Sequence, residues 1–291
     1  MFRLDALERF ALEQVFPLIP AAASSWLFGS RTDLNARGGD IDILIQYDAP
    51  ENERFDLSRM LTLVFQRHCE EKIDFVVFPL HDLSIEQRVF LDSLNRLELS
   101  RVVFAPHLDH VAILTSDLKA THELASAWGF PLQAMEVFES EGTTEFYVGE
   151  SGRSARVLFV QATGPGPYLK ALKKRGPGLH HLGLRVCSMK YFLTHLRGSG
   201  WMIHPASFKE GTLAPTVYVA RAGLPLLLEV FERTSKLPPA LAPVVEKVRV
   251  SVSERLSRCV STLDCPQLEW ASDGLDTAIK IGQRWLSTTE L

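Results

Sequence analysis

Two segments of this chain repeat each other. "LDHVAILTSDLKATHELASAWGF" spans 108–130, and "LHHLGLRVCSMKYFLTHLRGSGW" spans 179–201. Each reads as a strand, a short turn, an amphipathic helix, and then a glycine followed by an aromatic residue. The interval from His110 to Gly129 equals that from His181 to Gly200, 19 residues in both cases. Self-similarity of this kind constrains a fold more than any single motif does. Strand-like runs continue each half: "MEVFES", "EFYVGE" and "ARVLFVQ" in the first, "TVYVA" and "LPLLLEVFE" in the second. Each module therefore reads β-α-β-β-β. A curved sheet from one such module leaves a cavity that the second completes.

The repeat also places polar residues in corresponding positions. His110 and His181 fall at the same point of their first strands. Glu229 follows His181 by 48 residues, and the same offset from His110 lands on Leu158. A lone histidine on an apolar strand is more often a satisfied core residue than a ligand. Two in equivalent places, with a glutamate at a third, point to a metal site. This pattern, with "KALKKRGPGLHHLGLRV" at the start of the second module, resembles the vicinal oxygen chelate, or glyoxalase-like, superfamily. The likeness is to the branch containing methylmalonyl-CoA epimerase and 4-hydroxyphenylpyruvate dioxygenase, and it spans about 107 to 235. It implies that His110, His181 and Glu229 bind one divalent transition metal. Leu158 departs from the four-ligand pattern of the epimerases and glyoxalases. Gln161, three residues on, should face the other side of its strand unless a bulge intervenes.

Two imidazoles and one carboxylate with open positions describe the facial triad of non-haem Fe²⁺ oxygenases. Zn²⁺, Mn²⁺, Co²⁺ or Ni²⁺ with water completing the shell is the other reading. An epimerase or lyase would use Glu229 or a nearby group as base while the metal steadies an enolate. The implied substrate is a small oxygenated organic molecule, a keto acid or an acyl thioester. A different class of reading makes this domain a non-catalytic small-molecule binding, sensor or resistance module. Strand alternation puts His180 outward and Asp109 on the face opposite His110, and His107 is given no role. The basic run Lys170, Lys173, Lys174 and Arg175 reads as a solvated helix face, or as a grip on an anionic substrate such as a CoA thioester.

Upstream lies "WLFGSRTDLNARGGDIDILI", from Trp26 to Ile45. Asp40 and Asp42 share one face of a strand whose Ile41 and Ile43 point to the core. Two carboxylates about 4 Å apart repel by roughly 4 kcal/mol at an effective dielectric near 20. The pair persists if it is solvated, shares a proton, or shares a cation such as Mg²⁺. Gly29-Ser30 follows an apolar run and would let a tight turn offer N–H groups to a phosphate. "KIDFVVF" supplies Asp74, and the helix-like segment from Phe55 to Glu70 is long enough for a crossover between the two strands. Together these residues resemble the small "minimal" nucleotidyltransferases of the polymerase-β-like superfamily, over residues 1 to about 100. The resemblance implies Mg²⁺ with an NTP: Gly29, Ser30 and Arg31 contacting phosphates, Asp40 and Asp42 binding metal, and Asp74 as the third, acceptor-activating carboxylate. Nucleotidyl transfer to a hydroxyl on a small molecule or protein would follow, or else a silent interaction module.

The expected fold is α+β. A nucleotidyltransferase-type mixed α/β domain (1–104) precedes the paired βαβββ domain (105–235) and a helical C-terminal extension (236–291). The extension opens on the linker-like "SKLPPALAP", and "ALAPVVEKVRVSVSERLSRCV" and "GLDTAIKIGQRWLS" follow with helical periodicity. It is too short for a core of its own, so it should pack on a domain or on a second copy, with Trp270 and Trp285 as buried anchors. A net charge of −4 gives no reason to expect nucleic acid. No apolar run approaches the roughly 18 residues of a membrane span. The first residues read as an amphipathic helix, not a secretory signal. Four scattered cysteines suggest reduced thiols and a cytoplasmic setting.

Overall fold

The computed structural model describes residues 2–33, 36, 39–150, 155–232, 243–272, 274–289 and 291. The chain divides into two compact units, Met1–Ala105 and Pro106–Leu291.

The first unit runs α1 (Ala6–Val15), β1 (Ser24–Phe28), β2 (Ile41–Gln46), α2 (Glu51–Gln66), β3 (Ile73–Phe78), α3 (Ile85–Ser93), β4 (Arg96–Glu98) and α4 (Leu99–Val103). Helix α1 starts at a capping box. The Asp5 carboxylate accepts from the N–H of Leu7 and of Glu8 at 2.8 Å, and Glu8 accepts from the Asp5 N–H at 2.6 Å. Among the described residues the strands form a sheet in the order β3-β2-β1-β4. β1 is antiparallel to β2 and β4, whereas β2 and β3 are parallel across the α2 crossover. Ile41, Ile43 and Ile45 share a core with Leu12, Val15, Leu61 and Phe65. On the other face, Leu44 packs with Phe28 and Leu91.

In the second unit, module one is β5 (His107–Thr115), α5 (Leu118–Ser126), β6 (Glu136–Phe138), β7 (Thr143–Val148) and β8 (Arg156–Ala162). Helix α6 (Pro167–Arg175) leads to module two: β9 (Gly178–Val186), α7 (Met189–His195), β10 (Trp201–Ile203), a small hairpin β11 (Phe208–Lys209) and β12 (Thr212–Leu213), β13 (Thr216–Arg221) and β14 (Leu227–Glu232). Among the described residues the two modules share one eight-stranded sheet, ordered β10-β13-β14-β9-β5-β8-β7-β6. The order reads the same outward from its centre, where β5 and β9 meet antiparallel. On one face α5 and α7 close a large core around Leu108, Phe146, Phe159, Leu182 and Leu228. On the opposite face Tyr168, Ala171 and Leu172 of α6 pack over Ala112, Leu114, Leu158 and Val160.

The C-terminal stretch corrects one expectation. Among its described residues it is not a helical tail but a sheet, β15 (Lys247–Ser251), β16 (Leu268–Ala271), β17 (Ala278–Ile281) and β18 (Arg284–Ser287), with one short helix, α8 (Glu254–Val260). The strand order is β16-β15-β17-β18. Val244, Val248 and Val252 lie at helical spacing, but Lys247-Val248-Arg249-Val250-Ser251 also alternates, and only its valines are buried. "AIKIGQRWLS" turns at Gly282, whose φ of 55° suits the two-residue loop of hairpin β17–β18. Val244, Val245, Val248, Val250, Leu268 and Ile279 join the same core as Leu182 and Leu228. Trp270 lies against Trp201, with ring centroids 6.5 Å apart, and the Arg249 guanidinium sits 4.2 Å from the Trp285 ring centroid. Both tryptophans are half-buried, not fully buried anchors. All of the expected "SKLPPALAP" linker except Pro243 lies outside the described residues.

Candidate metal centre

The sheet's central strands bring three donors together. β5 and β9 pair so that His110 lies opposite Gly183, and Ala112 opposite His181. β14 runs parallel to β9 with Glu229 opposite Gly183. Gly183 thus has a ligand candidate on either side. Its missing side chain is what admits the His110 ring, because a Cβ there would lie 2.7 Å from His110 Nε2 and closer still to Nδ1 and Cε1. The two histidine Nε2 atoms are 3.2 Å apart. Glu229 Oε2 lies 3.4 Å from His110 Nε2 and 3.3 Å from His181 Nε2. Both histidines are 3% exposed.

The donor set fits a metal ion. Ligand atoms ~2.1 Å from a common centre, at angles between about 90° and 109°, lie ~3.0 to ~3.4 Å from one another. Among the described residues, His110, His181 and Glu229 form the one group of three such side chains whose ligand atoms all lie within 4.8 Å of each other. The register also explains the empty fourth place. His181 pairs with Leu227, two residues before Glu229, and His110 pairs with Arg156, two before Leu158. Leu158 therefore occupies the position equivalent to Glu229, 4% exposed within the apolar cluster under α6. Gln161 instead donates to the Ser116 carbonyl at 2.8 Å.

Charge within this cluster is unevenly held. Burial opposes a proton on His110, but Asp109 and Glu229 outweigh it and push its pKa up to about 9. Burial, with the His110 charge, pushes His181 down despite Glu229. Burial would also raise Glu229, yet its contacts with both histidines hold it well below the usual carboxylate range. Burial and the neighbouring His181 push His180 down to about 3, so it is neutral.

Four further groups reach the site. Asp109 does not face away from His110, as strand alternation requires. The β5–β9 register slips between Leu108 and His110, and Asp109 is the extra residue of this bulge, so successive side chains approach one another. Its Oδ2 accepts from His110 Nδ1 at 2.8 Å. His180 is likewise not outward: it stands at the second slip and meets His181, Nδ1 to Nδ1, at 2.9 Å. Tyr218 O–H donates to Glu229 Oε1 at 3.4 Å. Tyr147, whose strand position matches that of Tyr218, sets its ring edge-on to His110 with centroids 5.9 Å apart. Tyr147 follows His110 by 37 residues and Tyr218 follows His181 by the same 37, a signal the repeat already carried. Glu145, two residues from Tyr147 on β7, is half-buried. Burial raises its pKa, Thr143 steadies it from 3.1 Å, and it feels the charges of His110 and Glu229.

In the first unit, Gly29 has φ 73° and a Cβ there would lie 2.5 Å from Asp42 Oδ2, so the turn at Gly29–Thr32 abuts that carboxylate. Asp42 and Asp74 are register partners on parallel strands. Burial raises the Asp42 pKa, and Asp74 and Asp40 add to this. Lys72 Nζ pairs with Asp40 and lies 3.6 Å from Asp74 Oδ2, so a cation of the chain itself spans these two acids. Ser30 Oγ stands where a Cβ of Gly39 would fall. The Arg31 guanidinium is engaged by Glu8 at 2.8 Å and by the Gly39 carbonyl at 3.2 Å.

Comparison with known proteins bears on the second unit. The family described as Glyoxalase/Bleomycin resistance protein/Dioxygenase superfamily matches residues 107–219. Similar solved structures include methylmalonyl-CoA epimerase from Mycobacterium tuberculosis, 27% identical, covering 44% of this chain and 89% of that one, with a TM-score of 0.36. A methylmalonyl-CoA epimerase in complex with methylmalonyl-CoA and NH4+ is 22% identical, covering 45% and 97%, with a TM-score of 0.37. A Streptomyces coelicolor methylmalonyl-CoA epimerase in complex with 2-nitronate-propionyl-CoA is 22% identical, covering 44% and 97%, with a TM-score of 0.36. No curated protein matches the chain. No helix among the described residues is long and apolar enough to cross a membrane. Residues 107–219 therefore constitute a glyoxalase, or vicinal oxygen chelate, domain.

Proposed function

We propose that the second unit catalyses metal-assisted proton transfer at a carbon next to a carbonyl, in a small oxygenated substrate such as a keto acid or an acyl thioester. The observation that carries this reading is the convergence of His110, His181 and Glu229, with Glu145 two residues from Tyr147 on β7 and so on the same face of the sheet. A divalent ion held by the three donors would supply Lewis acidity at the substrate carbonyl oxygen. Glu145 is the base. Its raised pKa makes its carboxylate a better proton acceptor than a solvated one, and the same carboxyl returns the proton. Tyr218 holds the second Glu229 oxygen, and α6 keeps water from the apolar wall at Leu158. The test is incubation with keto acids and acyl-CoA thioesters in deuterium oxide. Deuterium should enter next to the carbonyl, be lost in Glu145→Gln, and be lost with the metal stripped. Exchange that survives both treatments refutes the reading.

Leu158 favours a second reading. With no fourth protein donor, the triad matches an Fe²⁺ oxygenase. Anaerobic purification followed by elemental analysis separates the two. About one iron per chain, with substrate-dependent oxygen uptake, selects the dioxygenase.

For the first unit we propose nucleotidyl transfer from an NTP with Mg²⁺. The contact between the Gly29 turn and Asp42, and the pairing of Asp42 with Asp74, support it. Lys72 must leave Asp40 and Asp74 for Mg²⁺ to bind there. Labelling with the four NTPs should be abolished by Asp42→Ala and kept in His181→Ala. No labelling with any NTP counts against the activity.

A further inference from the structure

Each histidine of the metal centre is gripped at its far nitrogen by the residue directly before it in sequence. Regular strand alternation forbids such a contact, and two bulges at equivalent points of the repeat permit it. The grips differ in kind. His180 is an imidazole stacked on Tyr168, with centroids 4.6 Å apart, and it can donate or accept. Asp109 is a buried carboxylate, 2% exposed. Arg185 pairs with its Oδ1, and Arg156 lies 3.6 Å from its Oδ2. Those arginines are themselves stacked, Arg156 at 4.0 Å from the Tyr147 ring centroid and Arg185 at 5.9 Å from that of Phe231. The Asp109 carboxylate is therefore clamped from behind while its Oδ2 meets His110 Nδ1 at 2.8 Å.

We propose that Asp109 is the positioning residue of the metal centre. An ionised carboxylate only accepts, so it keeps the proton of His110 on Nδ1. Nε2, once an incoming ion displaces its proton, is then the donor atom, facing His181 Nε2 and Glu229 Oε2. The two arginines make this orientation a property of the folded chain, present before any ion arrives. Partners of this kind typically change metal affinity by about 10- to 100-fold. The proposal rests on the reading that His110, His181 and Glu229 bind a metal.

The test uses the full chain loaded with Zn²⁺ and labelled with ¹⁵N-histidine. In the wild type, long-range ¹H–¹⁵N correlation should show His110 protonated at Nδ1 and metallated at Nε2, with a downfield, slowly exchanging Nδ1 proton. Asp109→Asn should move that proton upfield and weaken Zn²⁺ binding by about 10- to 100-fold in a chelator competition. Asp109→Glu, which keeps a carboxylate, should recover part of the loss. A wild-type spectrum with His110 metallated through Nδ1 overturns the proposal without any variant. So does a folded Asp109→Asn that binds Zn²⁺ within twofold of wild type. Failure of the wild type to bind Zn²⁺ at all overturns the metal reading as well, which distinguishes the two failures.

Discussion

Gly183→Ala is the sharpest perturbation the site offers, because it adds one carbon and no chemistry. That Cβ would lie 2.7 Å from His110 Nε2, with Nδ1 and Cε1 closer. Carbon contacts settle at ~3.5–4.0 Å, so the ring must withdraw by about 1 Å or more. Metal–ligand distances tolerate about 0.2 Å. His110 therefore leaves the donor set, and Zn²⁺ affinity should fall at least ~100-fold, about 2.7 kcal/mol. Overpacking should also lower stability by ~1–3 kcal/mol. Competition against a chromophoric chelator reads the first effect and thermal melting the second. Gly183→Ala/His110→Ala supplies an internal control. With the ring gone, stability should recover while binding stays weak. A folded Gly183→Ala with wild-type affinity would refute the reasoning, since the ring would then have no need of the glycine. Ala112, opposite His181, already carries the extra carbon, so the requirement belongs to module one alone.

Three other expectations follow from the same geometry. The His110 pKa is pushed up to about 9 in the metal-free protein, so at pH 7 an incoming ion must displace its proton. Calorimetry of Zn²⁺ binding in buffers of different ionisation enthalpy should show about one proton released, and affinity should fall as pH drops below about 9, roughly tenfold per unit; no proton release at pH 7 would contradict this. Leu158→Glu places a carboxylate at the position equivalent to Glu229 but amid apolar neighbours. It should melt earlier without metal and regain stability with Zn²⁺, whereas a metal-independent melting point would show that the side chain does not reach the site. Ile279→Ala, in the C-terminal sheet, should cost about 2–5 kcal/mol and lower one melting transition of the second unit as a whole; a separate transition for residues beyond 243 would deny the shared core.

The repeat was legible because equal offsets in a chain become equivalent places in a fold. His110, His181 and Glu229 could be named from those offsets, and so could the leucine at the fourth place. The contacts of Asp109 and His180 could not. A bulge breaks the period of two on which any assignment of faces rests, and neither Leu108-Asp109-His110 nor Leu179-His180-His181 carries a glycine or proline to announce one. Residues 244–252 misled for another reason. Valines at 244, 245, 248, 250 and 252 satisfy both a helical and a strand period, and burial against the neighbouring core decided between them. In the first unit the acids were readable from sequence. The commitment of Arg31 to Glu8 was not, since it depends on α1 and the Gly29 turn meeting across 22 intervening positions.

The seam between β5 and β9 has a consequence for how the chain folds. His110 and His181 are 71 residues apart, and Glu229 lies 48 further on. No local segment can assemble the three donors, so ions bind the docked modules and ignore their separate halves. An ion at a hundredfold excess over its Kd would stabilise the native state by about 2.7 kcal/mol. Because the donors come together only when distant strands pair, that stabilisation should appear mostly as slower unfolding, with the folding rate little changed. The centre would then act as a clasp across the junction of the two modules.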